Sequence, residues 1–355
     1  MTSTHADLEG AILTRTWTRA RVDFDIQLVA QKGPPHAPTP PQRCRRRSIH
    51  VMLRRVRGVV RTTSRHQRCG CRVTRGDVTG SSELARALEV AQHTISYLRA
   101  TSGEIDAVSM GPDVPDDGIY IRCDRLIDDA EWLHSLIMHT GRQLATDDPM
   151  VAASLFVQSY SYRILALAVA CATTSGVVPD SSASCTAFAL KSGRVSLVAY
   201  TSDEVLIIGS SDQTGANRFS TERPREELFN FILARAINDH LATLIEATRS
   251  TIRVGERLLW GNVAASLAVA FRTMEGSLGD WVQDLGTYFV EHAPSQLQGL
   301  GSFLTVEHAG RRGWFWERTN CCLYDRLPGN TRCADCSRIP PDVRRAAYRS
   351  SLEGP

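Results

Sequence analysis

The chain has 355 residues, of which 43% are hydrophobic and 22% charged, with a formal net charge of +3. That balance suits one large or two modest domains with a real core, and excludes a chain too poor in apolar residues to bury one. The charge is unevenly divided: residues 1–76 hold sixteen Lys and Arg against four acidic residues, a net of +12, which leaves −9 for the remainder.

Residues 1–77 read as a basic, Pro/Arg-rich extension, disordered or non-native. Arginine clusters at Arg43 to Arg47 and at Arg54, Arg55 and Arg57 are of the kind that attracts nucleic acid or anionic membranes. The segment also superficially resembles a transit peptide. Yet few aromatics interleave with the arginines, no helical or strand period is sustained, and a Pro-rich run spans Pro34 to Pro41. Such a segment cannot bury enough apolar surface to offset its ordering entropy. No nucleic-acid partner is expected, and membrane association is at most peripheral. Cys44, Cys69 and Cys71 lie there without a matching ligand pair.

From Ser81 the texture becomes that of a folded protein. An amphipathic helix is expected over Leu84 to Leu98, with Leu84, Leu88, Ala91, Ile95 and Leu98 on one stripe. A Pro/Asp/Gly loop follows from Gly111 to Gly118, then a helix over Asp128 to Leu144. Asp147-Asp148-Pro149 signals the start of a long helix, Met150 to Thr173, apolar nearly all round in its second half and hence a buried central element. Thr186 to Leu190 and Val195 to Tyr200 alternate like a β-hairpin, and Glu204 to Ile208 adds a short third strand. Helix resumes after Thr221, its core stripe running through Leu228, Ile232, Ile237, Leu241 and Leu244. Asn262 reads as the cap of a helix from Val263 to Met274, and Trp281 to Glu291 forms another. The fold class is α+β: a mostly helical main domain with a small β-hairpin or sheet, and an appended cysteine-rich subdomain.

Most candidate chemistry falls away on inspection. His134 and His139 are five apart and do not share a helix face as metal-ligand pairs do. His93, His240, His292 and His308 are scattered, and Cys123, Cys171 and Cys185 sit in apolar or turn contexts as small buried side chains. No phosphate-binding glycine pattern or hydrolase elbow is present, so with no flavin site indicated, electrons for any redox step come from a separate donor protein. Trp314, Phe315 and Trp316 are expected to pack the cysteine subdomain against the main body.

What remains is the run from Cys321 to Cys336, in which Cys321, Cys322, Cys333 and Cys336 follow the spacing C-C-x10-C-x2-C around a Pro-Gly-Asn turn. Four soft thiolates select zinc or an iron–sulfur cluster over hard cations. Only Cys333 and Cys336 make a zinc knuckle, and vicinal cysteines tend to diverge, which suits the separate irons of a two-iron cluster better than one zinc ion. A structural zinc clip remains the alternative. Disulfides are disfavoured because no signal-peptide core and no run of roughly 18 apolar residues is present, so the chain reads as cytoplasmic. Arg318, Arg326 and Arg332 bracket the loop, either to offset cluster charge or as a solvated face.

The block resembles the C-terminal signature of the FhuF-type ferric-siderophore reductases. Arg318, Arg326-Leu327-Pro328 and Asp335 match it, and Leu258 to Leu267 resembles an internal helix start of the same family, with coverage from about Ser81 to Pro341. Ala334 stands where the family's knuckle often has glycine. The resemblance implies a siderophore-docking domain over residues 78–310, a [2Fe-2S] subdomain over 311–345 and a tail over 346–355. It also implies Cys321, Cys322, Cys333 and Cys336 as cluster ligands, and reduction of a ferric siderophore, hydroxamate type first, with ferrous iron released in the cytoplasm. The alternative function is a non-redox siderophore-related binding module with a structural four-cysteine zinc site.

Overall fold

Residues 79–95, 98–102, 119–191, 194–209 and 213–353 are described by a computed structural model. The expectations for residues 1–77 and for the Gly111 to Gly118 loop lie outside them. The helices are α1 (Thr79–Thr94), α2 (Cys123–Asp128), α3 (Ala130–Gln143), α4 (Pro149–Thr174), α5 (Gly215–Arg218), α6 (Glu222–Ile232), α7 (Thr243–Thr251), α8 (Glu256–Leu278), α9 (Trp281–Glu291) and α10 (Pro341–Ser351). The strands are β1 (Ala100–Ser102), β2 (Tyr120–Arg122), β3 (Val177–Pro179), β4 (Thr186–Lys191), β5 (Arg194–Tyr200), β6 (Val205–Ile207), β7 (Gly301–His308) and β8 (Arg311–Arg318). Helices joined to three small sheets make the fold α+β.

The centre is α4. Asp148 caps it, its carboxylate accepting from the Met150 and Val151 N–H groups at 2.9 and 3.3 Å, and Pro149 occupies the first turn, where no donor is lost. Alanine, leucine and valine then bury it on all sides. By length and composition α4 could cross a membrane, although interspersed Ser, Gln, Tyr and Arg keep it from being an unbroken apolar run; 89% of its most apolar stretch is buried inside the fold. Its main neighbour is α8. Asn262 bonds Ser154 and Ser266 bonds the Gln158 carbonyl, so equal four-residue steps on both helices keep matched register and the two run parallel. Here the expected Asn262 cap fails: α8 begins at Glu256, and Asn262 is a fully buried residue inside it.

The hairpin β4–β5 forms as expected, but within a four-stranded sheet of order β1-β5-β4-β2. β6 does not extend it; β6 pairs antiparallel with β3 instead. All five residues of the α1 stripe are buried, although the helix stops at Thr94 and Ile95 and Leu98 reach the core from beyond it. α6 and α7 are linked through a π-helical segment, Leu233–Ala242, that keeps Ile237 and Leu241 on the buried face.

Two features cross the boundaries expected near the C-terminus. The pair β7–β8 is a hairpin whose turn falls at 309–310, so a division at 310/311 would cut one supersecondary unit. Helix α10 spans 345/346 and packs on β7, with Tyr348 stacked on Phe315 at 4.3 Å. Trp314 stacks on Phe303 at 3.8 Å, and Trp314, Phe315 and Trp316 are all buried, as their expected packing role requires.

Candidate metal centre

The cysteine loop leaves β8 at Arg318 and is steered onto α4 and α8 at once. The Thr319 N–H bonds the Leu300 carbonyl at 3.1 Å, and the Asn320 amide donates to the Leu258 carbonyl at 3.1 Å. Asn320 lies so close to Gly261 that a Cβ there would collide with its side chain. This explains the glycine between Trp260 and Asn262. Leu323 takes a left-handed conformation, φ 66°, which reverses the chain after Cys322. Leu323 and Leu327 then pack against Val151 and Leu155 of α4. Gly329, φ 74°, turns the chain back toward Cys333.

The four sequence-predicted cysteines come together. Cys322 and Cys333 sulfurs are 3.7 Å apart, and Cys336 interacts with the Cys333 and Cys321 thiols, so the order of contact is 322–333–336–321. Three of the four also receive a backbone N–H from two residues downstream. Leu323 donates to Cys321 at 3.3 Å, Tyr324 to Cys322 and Arg338 to Cys336. Such bonds favour the thiolate. The Cys322 thiol is drawn down to about 7 by the bond from Cys333, against burial and with help from nearby Arg318. Cys336 is drawn down to about 6, again first by Cys333. Cys333, which contacts both of these sulfurs, is pushed up by them, and burial pushes Cys321 up against the Leu323 N–H.

Polar anchors hold the loop from both sides. Ser154 of α4 donates to the Cys322 carbonyl at 2.7 Å; the Asn262 side-chain amide donates to the Ser154 carbonyl and hydroxyl at 2.8 and 2.9 Å; and Arg318 donates to Asn262 Oδ1 at 2.6 Å. On the other side Arg344 of α10 donates to the Cys336 carbonyl at 3.2 Å and pairs with Glu317 at 3.4 Å. Asp325 accepts from Cys321 and pairs with Arg338 at 2.9 Å and Arg332 at 3.8 Å, while Arg326 pairs with the cap Asp148 at 3.6 Å. Arg326 and Arg332 therefore sit at a solvated rim. Arg318 is 3% exposed and belongs to the interior, unlike the other two.

The other candidates stay apart from this centre. His134 is exposed and His139 half-buried on α3. Cys123 and Cys171 are fully buried, and burial raises their thiols to about 11 and about 12. His240 is fully buried as well, bonded to the Tyr160 hydroxyl at 2.6 Å and the Ser181 carbonyl at 2.7 Å. Sequence reasoning missed Ser154, Asn262, Asp325 and Arg344 as parts of the site. Only the Asn262 neighbourhood carried a signal, and it pointed to a helix cap.

By donor type alone, four contacting thiols, three of them receiving N–H bonds, are the kind of side chains that suit a soft metal. All seven described cysteines are free thiols. As the side chains stand, no group of three or more His, Cys, Asp or Glu among the described residues is placed so that it could hold a metal ion. The pairwise sulfur contacts are thus no preformed one-ion cage.

Residues 154–301 match the FhuF family, described as ferric iron reductase FhuF-like transporter. The match begins at the serine that anchors Cys322 and ends before the four cysteines. No curated protein sequence matches the chain. Among solved structures, ATP-bound aerobactin synthetase IucA from a hypervirulent pathotype of Klebsiella pneumoniae is 13% identical, with a TM-score of 0.44, over 61% of this chain and 43% of its own. Aerobactin synthetase IucC from the same source is 15% identical, with a TM-score of 0.37, over 52% of this chain and 35% of its own. The chain thus spans less than half the length of these structures. Residues 154–301, which hold most of α4 and all of α8, are thus similar to the FhuF family.

Proposed function

We propose that the chain reduces ferric iron held by a siderophore, with Cys321, Cys322, Cys333 and Cys336 holding a [2Fe-2S] cluster, and releases ferrous iron in the cytoplasm. The observation that carries this reading is the contact of four thiols anchored to the first turns of an FhuF-like domain. When bound, such a cluster supplies single electrons at a potential set by its charge, exposure and sulfur hydrogen bonds.

The residues of the chain have definite tasks in this scheme. The Leu323, Tyr324 and Arg338 N–H groups orient three sulfurs and hold negative charge on them. Cys322 and Cys336 lie buried while Cys321 and Cys333 are partly exposed, so one edge of the centre faces outward, where an electron can enter from a separate donor protein and leave to the siderophore. Ferric iron is hard and tightly held by hydroxamate oxygens; ferrous iron is softer and weakly held, so one electron turns binding into release.

Iron, acid-labile sulfide and zinc analysis of anaerobically purified protein tests the reading. Iron and sulfide in equal amounts, with the visible absorption of a two-iron cluster, are expected. Stoichiometric zinc without sulfide would replace the reductase with the structural-zinc alternative.

A further inference from the structure

We infer that Arg318 is the buried counter-ion of the metal–thiolate centre: fixed by Asn262, its charge offsets the negative charge that four thiolates bring. The inference rests on the four cysteines holding a metal centre, and not on that centre being redox-active.

The case begins with a charge that has no partner. Arg318 is 3% exposed, its Nε is buried without a hydrogen bond, and its Nη2 donates to the neutral Asn262 side-chain amide oxygen at 2.6 Å. Among the described residues no carboxylate lies within ion-pair distance of it. The contrast with Arg344 is direct, since that guanidinium is buried nearly as deeply but has Glu317 at 3.4 Å. A buried charge without a counter-charge is strongly unfavourable, so an anion placed beside Arg318 would stabilise it.

The position of the charge identifies the anion. Asn262 is locked by Ser154, and Ser154 holds the Cys322 carbonyl, so three buried side chains fix the guanidinium beside the vicinal cysteines. Arg326, Arg332 and Arg338 are half-exposed and already paired with Asp148 or Asp325. Four thiolates outweigh the charge of either one zinc ion or an oxidised two-iron, two-sulfide core, so the loaded centre is anionic in both cases. Loading supplies the charge that Arg318 lacks. In a redox-active centre the same guanidinium favours the reduced form, which carries one more negative charge.

Two substitutions in the full chain test this: Arg318→Gln, which keeps a donor toward Asn262 without the charge, and Arg318→Lys, which keeps the charge. Thermal unfolding is recorded for metal-loaded and chelator-stripped protein, with metal retention against a chelator and, where iron is found, the midpoint potential. Arg318→Gln should narrow the stability gap between loaded and stripped forms, lower metal affinity about 10–100-fold and move the potential negative. Arg318→Lys should stay close to the wild type in all three. A merely structural arginine would lower both forms equally, and an unchanged gap overturns the inference. Should Arg318→Gln fail to fold, loss of the gap in Arg318→Lys overturns it as well. Zinc without sulfide removes the redox reading and leaves the gap to decide on Arg318, whereas a chain that retains no metal overturns both.

Discussion

Two sets of cysteines in one chain follow opposite rules. Cys123 and Cys171 are fully buried, and desolvation pushes their thiols up to about 11 and about 12, in Cys123 against hydrogen bonds from Thr186 and Tyr160. Cys322 is almost as deeply buried, yet its thiol is drawn down to about 7, because a neighbouring thiol, a backbone N–H and a guanidinium all favour the charged form. Burial alone therefore does not decide what a cysteine does; the balance between desolvation and the donors and charges aimed at it does. The loop region gathers acceptor-rich sulfur, and Arg318 places a buried positive charge beside it.

The largest effect that could break this contrast is loss of the metal. Replacing any one of Cys321, Cys322, Cys333 or Cys336 by Ser should abolish stable metal retention on gel filtration. Cys123→Ala and Cys171→Ala should keep the metal and cost on the order of 1 kcal/mol in urea unfolding. Equal metal loss in both groups would erase the distinction. Next comes Asn262→Leu, which strips Arg318 of its acceptor and Ser154 of its donor. A loss of about 3–5 kcal/mol is expected, and a loss under about 1 kcal/mol would mean the relay is incidental.

The third test sharpens the other side of the comparison. His240 is fully buried between Tyr160, Ser181 and Thr186, and burial lowers it from 6.5 to about 4 despite the bond to the Ser181 carbonyl and the fields of Asp180 and Asp124. The folded state thus binds fewer protons than the unfolded chain between those values. Its stability contribution is full above about pH 6.5 and falls with acidification toward pH 4, by about 3 kcal/mol in total. Urea unfolding across that range should show the slope in the wild type and a flatter one in His240→Asn; equal slopes would contradict this assignment.

How much of this was legible in the sequence differs by region. The α4 core was plain, because Asp148, Pro149 and an apolar run reinforce one another locally. The β7–β8 hairpin was not: Trp314 and Phe315 are buried on opposite faces, one against Phe303 and the other against Tyr348, so the burial that normally alternates is continuous. Asn262 was misread because Gly261 before it resembles a helix boundary, when the glycine is needed for the approach of Asn320 from a segment 59 residues further along. The four cysteines were visible as a set. That Arg318 is interior while Arg326 and Arg332 stay at the rim could not be read from three similar arginines in one loop, since burial is decided by what α8 places beside them.

The most direct test of the account is a transfer experiment. Protein reduced anaerobically is mixed with a ferric hydroxamate siderophore and a coloured ferrous chelator, which draws the reaction forward by removing the weakly held product. The account predicts that the cluster absorption returns to its oxidised form as the ferrous complex appears, one ferrous iron per electron. A correctly assembled cluster that stays reduced before a broad panel of ferric siderophores, trap present, would contradict it.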